Sequence, residues 1–402
     1  MLSRETIEFI AKHRNEAPRA LALQAKRYPT VDMREAVTQI EGWQSAREKL
    51  PAWAATEGII YPPRISMEQC SSEATALYKA SIARGESLAD LTGGFGIDCS
   101  YMARGFKRVT YIERNPLLCR IAKENFALQG LDHIEILNGN SEECLPAMPA
   151  QEWIFIDPAR RDGEGRKVVA LSDCEPDVTA LEPLLLDKAH KIMVKCSPML
   201  DIKAACRQLA HVSEVHIVAV NNECKELLII LDRESNGDLV TTKCINIRKD
   251  AIDTFSFKES EEREKETKYS TDVGKFLYEP NAAIQKSGCH AMLTEEYNMG
   301  KLHPNSQLYT SDNLVEQFPG RIFTVERVCG FSKSEIKEIQ TLKQANITVR
   351  NFPESVQLLR KKLKLADGGD NYIFATTLAD GSKVLALCKK RKRGTHVCRE
   401  VG

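Results

Sequence analysis

SLADLTGGFGIDCSYMARG, residues 87–105, is the stretch whose reading decides the fold. A short β-rich run ends at Asp90, a glycine-rich turn follows, and a helix begins near Phe95. Gly93, Gly94 and Gly96 lack the Cβ atoms that would hold a ligand away from the backbone, and the helix start offers N–H groups. Twenty residues after Gly93 the run VTYIE ends at Glu113. A strand-end acid at that distance accepts from ribose hydroxyls in nucleotide-binding α/β folds. Loop, helix and acid together describe a site for an adenosine-containing ligand; the alternative is a tight strand-to-helix turn with no ligand. A dinucleotide fingerprint needs G-x-G-x-x-G/A, but Gly94-Phe95-Gly96 is followed by Ile97, Asp98 and Cys99. Asp90, three residues before Gly93, suits a cationic amino-acid group better than a pyrophosphate.

Outward from this stretch, β-rich runs alternate with helical ones: SLADL, VTYIE, IEIL, WIFID, KIMVK, VHIVAV and LLIIL. Such alternation implies a parallel, doubly wound sheet. Asn221-Asn222 between the last two runs is a tight-hairpin signal, so five parallel strands and a terminal hairpin are expected, seven strands in all. The first eighty residues read as helices. Ile7, Ile10 and Ala11 form an i, i+3, i+4 stripe, Asp32 with Glu35 marks a helix start, and Ser66 with Gln69 fits a capping box.

The chain has 402 residues, enough for two or three domains. Lys+Arg and Asp+Glu both number 56, so net charge argues neither for nor against a nucleic-acid partner. The thirteen cysteines are scattered and none forms a C-x-x-C pair, which points to reduced thiols in a cytoplasmic protein and to no metal site. No apolar run reaches the length of a signal peptide core or a membrane span.

Three further strand ends carry chemistry. The pattern D-x-x-G-G-x-G at Asp90–Gly96 resembles that of class I S-adenosylmethionine-dependent methyltransferases. Asn138 or Asn140, after the third strand, then falls where the adenine edge is met, or simply forms an Asn-Gly turn with Ser141 capping the next helix. IFIDPARR closes the fourth strand at the topological switch point, where α/β sheets bind ligands. Asp157 and Pro158 resemble the D/N-P-P-x loop of nucleic-acid methyltransferases, with Ala159 in place of the second proline and Arg160 in place of the usual aromatic. Arg160 and Arg161 are then candidates to hold a phosphate or base edge, or to pair with Asp157, Asp162 or Glu164. Cys196 on the fifth strand and Glu226 on the seventh resemble the nucleophile and base of C5-pyrimidine methyltransferases, where a thiolate must add to C6 before a proton leaves C5. Core packing of the cysteine is the competing reading.

Together YPPRISMEQCSSEATALYKA, DLTGGFGID, IDPARRDG, VKCSPMLDI, NECKELLIIL and VRNFPESVQLLRKKLKLADGGDNYIFATT resemble a bacterial methyltransferase family with a C-terminal THUMP-like domain. The resemblance implies helices over 1–84, a Rossmann-like class I methyltransferase domain over 85–235 and a β-rich, charged connector over 236–277. It further implies a ferredoxin-like module over 278–321, a THUMP-like domain over 322–393 and a tail over 394–402. It places S-adenosyl-L-methionine on Asp90, Thr92, Gly93, Gly94, Gly96, Glu113 and Asn140, with Gln69 or Ser71 folding over it, and the acceptor at Asp157. An RNA substrate, rRNA or tRNA, is implied by the THUMP-like domain, and the run Lys389–Arg393 fits that partner. Methylation of a small molecule or protein, and RNA binding with a degenerate cofactor site, are the alternatives.

Overall fold

The structure, a computed structural model, describes residues 2–160 and 170–391. Arg161, Asp162, Glu164 and residues 392–402 lie outside the described residues, and the side chain of Arg160 is likewise not described.

The glycine turn sits at the centre of a large α/β sheet. Its strands are β1 (Gly85–Asp90), β2 (Phe106–Glu113), β3 (Ile134–Asn138), β4 (Gln151–Ile156), β5 (Ala189–Cys196), β6 (Val212–Val220), β7 (Glu223–Asp232), β8 (Thr241–Arg248) and β9 (Ala251–Lys258). They run in the order β9-β8-β6-β7-β5-β4-β1-β2-β3. β1 pairs in parallel with both β2 and β4, with Asp90 opposite Tyr111 on one side and Phe155 on the other. The chain thus leaves β1 toward one edge and returns to β4 on the other side, which opens a crevice at the carboxyl ends of β1 and β4. Asn221 and Asn222 both adopt positive φ (50° and 66°), the backbone of a two-residue hairpin matched to strand twist.

Seven strands were expected, and this sheet has nine among the described residues. β8 and β9, within the supposed connector, pair with each other antiparallel and β8 pairs with β6 in parallel. Alternate burial along β9, with Phe255 and Phe257 buried, is the period-2 pattern of a strand with one covered face. The most charged part of that connector, residues 258–270, contains the helix Glu259–Glu264. There the Glu262 carboxylate accepts from the N–H groups of His290, Ala291 and Met292 at 2.8, 3.0 and 2.8 Å, capping the helix Ala291–Glu296.

Two compact units divide the chain, residues 1–213 with 228–237 and residues 214–227 with 238–402. In the first, the N-terminal helices bury Trp53, Tyr61 and Met67 in one cluster with Phe95, Ile97 and Tyr101 of the glycine-turn region. Trp53 meets the Phe95 ring edge-on at 5.0 Å between centroids. The aromatic inside GGFG is therefore an anchor for the turn. The helix Arg4–His13 buries Thr6 and Phe9, while Ile7 is 53% exposed. The expected Ile7–Ile10–Ala11 stripe is displaced because Phe9 stacks on His13 and meets Tyr28 edge-on. Ser66 and Gln69 form no capping box: the helix Arg64–Gln69 starts after Pro63 and has no side-chain cap.

In the second unit a seven-stranded sheet is built from Phe276–Pro280, Gly300–Lys301, Tyr309–Ser311, Gly320–Cys329, Asn346–Arg350, Asn371–Thr377 and Lys383–Lys390. Gly320–Cys329 pairs with Phe276–Pro280 on one side and Lys383–Lys390 on the other. The segments read as ferredoxin-like and THUMP-like thus share one sheet. Lys389 and Lys390, the first two cations of the run read as fitting RNA, are strand residues: Lys389 Nζ donates to Asn371 Oδ1 at 2.6 Å, and Arg391 N donates to Ile322 O at 2.9 Å.

Candidate active site

The crevice is lined by the three loops that the sequence singles out. Leu91 N bonds Phe155 O at 3.0 Å, holding the ends of β1 and β4 together. Thr92 Oγ1 accepts from Asp157 N at 2.7 Å, so the glycine loop directly supports the D-P-A-R loop. Gly93 is required by packing: a Cβ there would lie 2.1 Å from the Tyr111 ring. Gly94 is required by conformation, with φ +56°, since a Cβ there would make only an ordinary contact, 3.7 Å from Thr92 O. Its N–H donates to Glu113 Oε2 at 2.8 Å, and Asn115 N donates to Glu113 Oε1 at 2.7 Å. Each carboxylate oxygen retains a second acceptor position, so Glu113 both braces the loop and can accept from a ligand hydroxyl.

Asp90 is 1% exposed at the end of β1. Among the described residues its carboxylate has one hydrogen bond, from Thr92 N at 3.0 Å, and no ion pair. Burial pushes its pKa well above the usual carboxylate range, and the neighbouring Asp98, Asp157 and Glu113 push the same way. A buried acid facing like charges, beside a glycine cradle, matches a cationic ligand with an adenosyl part. The donor set therefore fits S-adenosylmethionine.

Asn138 and Asn140 both bond to backbone at the end of β3. Asn138 Nδ2 donates to the carbonyls of Glu113 and Arg114 at 2.8 and 3.1 Å, tying β3 to β2. Asn140, not Ser141, is the helix cap: its Oδ1 accepts from Glu142 N at 3.0 Å. Gln69 is exposed at the end of its helix. Ser71 is buried, and its Oγ donates to Asp98 Oδ2 at 2.7 Å.

Asp98 belongs to a charge ladder that sequence reading missed. Fully buried Lys79, from the helix Glu73–Ile82, lies 3.2 Å from Asp98 Oδ1. Lys195, from the end of β5, lies 3.5 Å from Asp98 Oδ2 and 2.6 Å from Asp157 Oδ2. Burial alone would raise the Asp98 pKa, but Lys79, Lys195 and Ser71 outweigh it and hold it below the usual range. A lone lysine inside the apolar run ATALYKASIA is the local signal that marks Lys79.

Pro158 is half-buried beside Asp157, and the backbone of Ala159–Arg160 pairs antiparallel with Cys174–Glu175, closing the acceptor loop on itself. Cys196 is buried at the end of β5, with Sγ directed to Val194 O at 3.8 Å. Burial, then the charge of Asp157, pushes its thiol well above the ordinary range, and Lys195 offsets this only weakly. Glu226 is buried near the start of β7, in the second unit.

Residues 276–319 match the model of a ferredoxin-like domain, and residues 320–390 that of a THUMP-like domain. The crystal structure of a "putative methyltransferase" from Porphyromonas gingivalis W83 superposes with a TM-score of 0.88 at 36% identity, covering 98% of this chain and 100% of that one. The chain belongs to this methyltransferase family. The family sheet thus carries the crevice at Asp90 and Asp157. Among curated proteins, 125 residues (30% of the chain) are 28% identical to an "Uncharacterized RNA methyltransferase" of Protochlamydia amoebophila. Another 28% match, over 169 residues and 39% of the chain, is the "23S rRNA (uracil(747)-C(5))-methyltransferase" of Pyrococcus abyssi. The chain spans only 29% and 39% of the lengths of these two relatives.

Proposed function

We propose that the protein is an S-adenosylmethionine-dependent methyltransferase acting on a base in structured rRNA or tRNA. The observation that carries this is the crevice itself: a buried, cation-seeking Asp90 and a glycine cradle braced by Glu113, joined through Thr92 to Asp157. The bound cofactor supplies an electrophilic methyl group on a sulfonium. Asp90 and Glu113 hold the two ends of that ligand, and Asp157 orients the acceptor atom, so that much of the rate comes from placement. The THUMP-like match and the names of the curated relatives support RNA as the substrate.

The test is incubation with methyl-labelled cofactor and hypomethylated total RNA, followed by digestion to nucleosides. A labelled nucleoside that disappears with Asp157→Ala supports the proposal. Label appearing only in protein or small metabolites sinks the RNA reading.

A second reading, C5-pyrimidine methylation, draws on Cys196, Glu226 and the Pyrococcus relative's name. The protonated, buried state of Cys196 weighs against it. Cys196→Ala decides between the two: full turnover excludes the covalent route, and loss of more than about a hundredfold in kcat supports it.

A further inference from the structure

Asp90 and Asp157 close neighbouring strands, yet their electrostatic settings are opposite. Asp90 is buried with no cation paired to it among the described residues. Asp157 already has an ammonium against it, because β4 and β5 pair in register with Ile156 opposite Val194 and so bring Lys195 alongside the acceptor loop. Lys195 is only 12% exposed at its side chain. It is held there from behind by Asp98, which Lys79 and Ser71 fix in turn. Charges alternate along the ladder: Lys79 positive, Asp98 negative, Lys195 positive, Asp157 negative. Such a chain of partly buried charges is a costly arrangement unless each member is fixed by its neighbours.

We propose that Lys195 is a positioning residue that neutralises Asp157 before the cofactor arrives. The aspartate then serves the acceptor as a hydrogen-bond partner and does not pair with the cofactor's sulfonium. The proposal rests on the methyltransferase reading above and adds a role for the ladder that this reading does not use. An unpaired Asp157 beside the sulfonium would stabilise the charged ground state, which disappears on methyl transfer and so would slow the chemistry. With Lys195 in place, Asp157 has no net preference between the charged donor and the neutral product.

The experiment is a double-mutant cycle read by calorimetric binding, with S-adenosylmethionine and S-adenosylhomocysteine as the two probes. The readout is the ratio of their dissociation constants. Lys195→Met leaves a negative charge and raises the preference for S-adenosylmethionine about tenfold, the scale of one unit charge several ångströms away in a partly solvated site. Asp157→Asn leaves a positive charge and shifts the preference about tenfold the other way. The double variant returns to the wild-type ratio, and Lys195→Arg stays there. Either single variant with an unchanged ratio, both ligands still binding, overturns the proposal, so a Lys195→Met protein that failed to fold would leave Asp157→Asn to decide. A wild-type protein that binds neither ligand would remove the methyltransferase reading and this proposal with it.

Discussion

Asp90 shows how one side chain ties stability to ligand binding. Its raised pKa means the folded protein holds that proton more tightly than the unfolded chain does. The protonated form favours folding, and the advantage turns into a penalty as pH rises through the folded pKa. Asp90→Asn removes the penalty. At pH 8 the ligand-free variant should melt roughly 2–4 °C higher, the worth of about 1 kcal/mol in a domain of this size. It should also lose the stabilisation that S-adenosylmethionine gives the wild type, and scanning fluorimetry with and without the ligand reads both effects. For the wild type, affinity for the cationic ligand should fall as pH drops through the Asp90 pKa, with a proton released on binding. Titration calorimetry in buffers of different ionisation enthalpy measures that proton. Asp90 was legible in the sequence because its position before the glycines is a local pattern. Lys79, Asp98 and Lys195 were not, because their meeting depends on three separate elements converging.

At the scale of elements, the glycine turn and the acceptor loop behave as one part. Gly93→Ala drives a methyl group into the Tyr111 ring, and overpacking of this kind costs about 1–3 kcal/mol. Chemical denaturation should show the loss, and cofactor binding should weaken with it. Thr92→Val keeps the volume and removes the acceptor for Asp157 N. Leaving that N–H without a partner costs about 1–3 kcal/mol, and the acceptor loop should become more sensitive to limited proteolysis while β1 stays protected. Strand-helix alternation and the Asn-Asn hairpin were readable because each depends on spacing within a few residues. β8 and β9 were only half readable: TTKCINIR and AIDTFSFK have β character, but nothing local says that they extend a sheet begun at Gly85, 156 residues before Thr241. The helix at residues 4–13 shows the opposite failure. Periodicity selected a plausible stripe, and the aromatic contacts of Phe9 chose a different face.

At the scale of the whole molecule, the second unit is held by a clasp between its two family segments. Glu279 is 2% exposed, and its carboxylate takes Arg321 Nε at 2.6 Å and Arg350 Nη2 at 2.6 Å, one arginine on each oxygen. Arg321 lies directly opposite Glu279 across the strand pair, and Arg350 reaches in from the segment's next strand. Glu279→Ala leaves two arginines, each 36% exposed at its side chain, without their shared partner, and a loss of about 1–3 kcal/mol is expected. Urea unfolding should show it as a lower midpoint, with Glu279→Asp recovering part. Removing residues 389–393 to test RNA contacts would break strand pairing as well as remove charge, so Lys389→Gln with Lys390→Gln is the sounder comparison. The strand Gly320–Cys329 has its own lesson for engineering. It is the seam along which both neighbours are stitched, so a graft that moved residues 320–390 into another enzyme would arrive with a raw edge where Phe276–Pro280 had been. The portable cassette runs from about residue 259, so that Glu262 keeps its cap on the helix Ala291–Glu296, to 391, and a swap of recognition modules between relatives should be cut there.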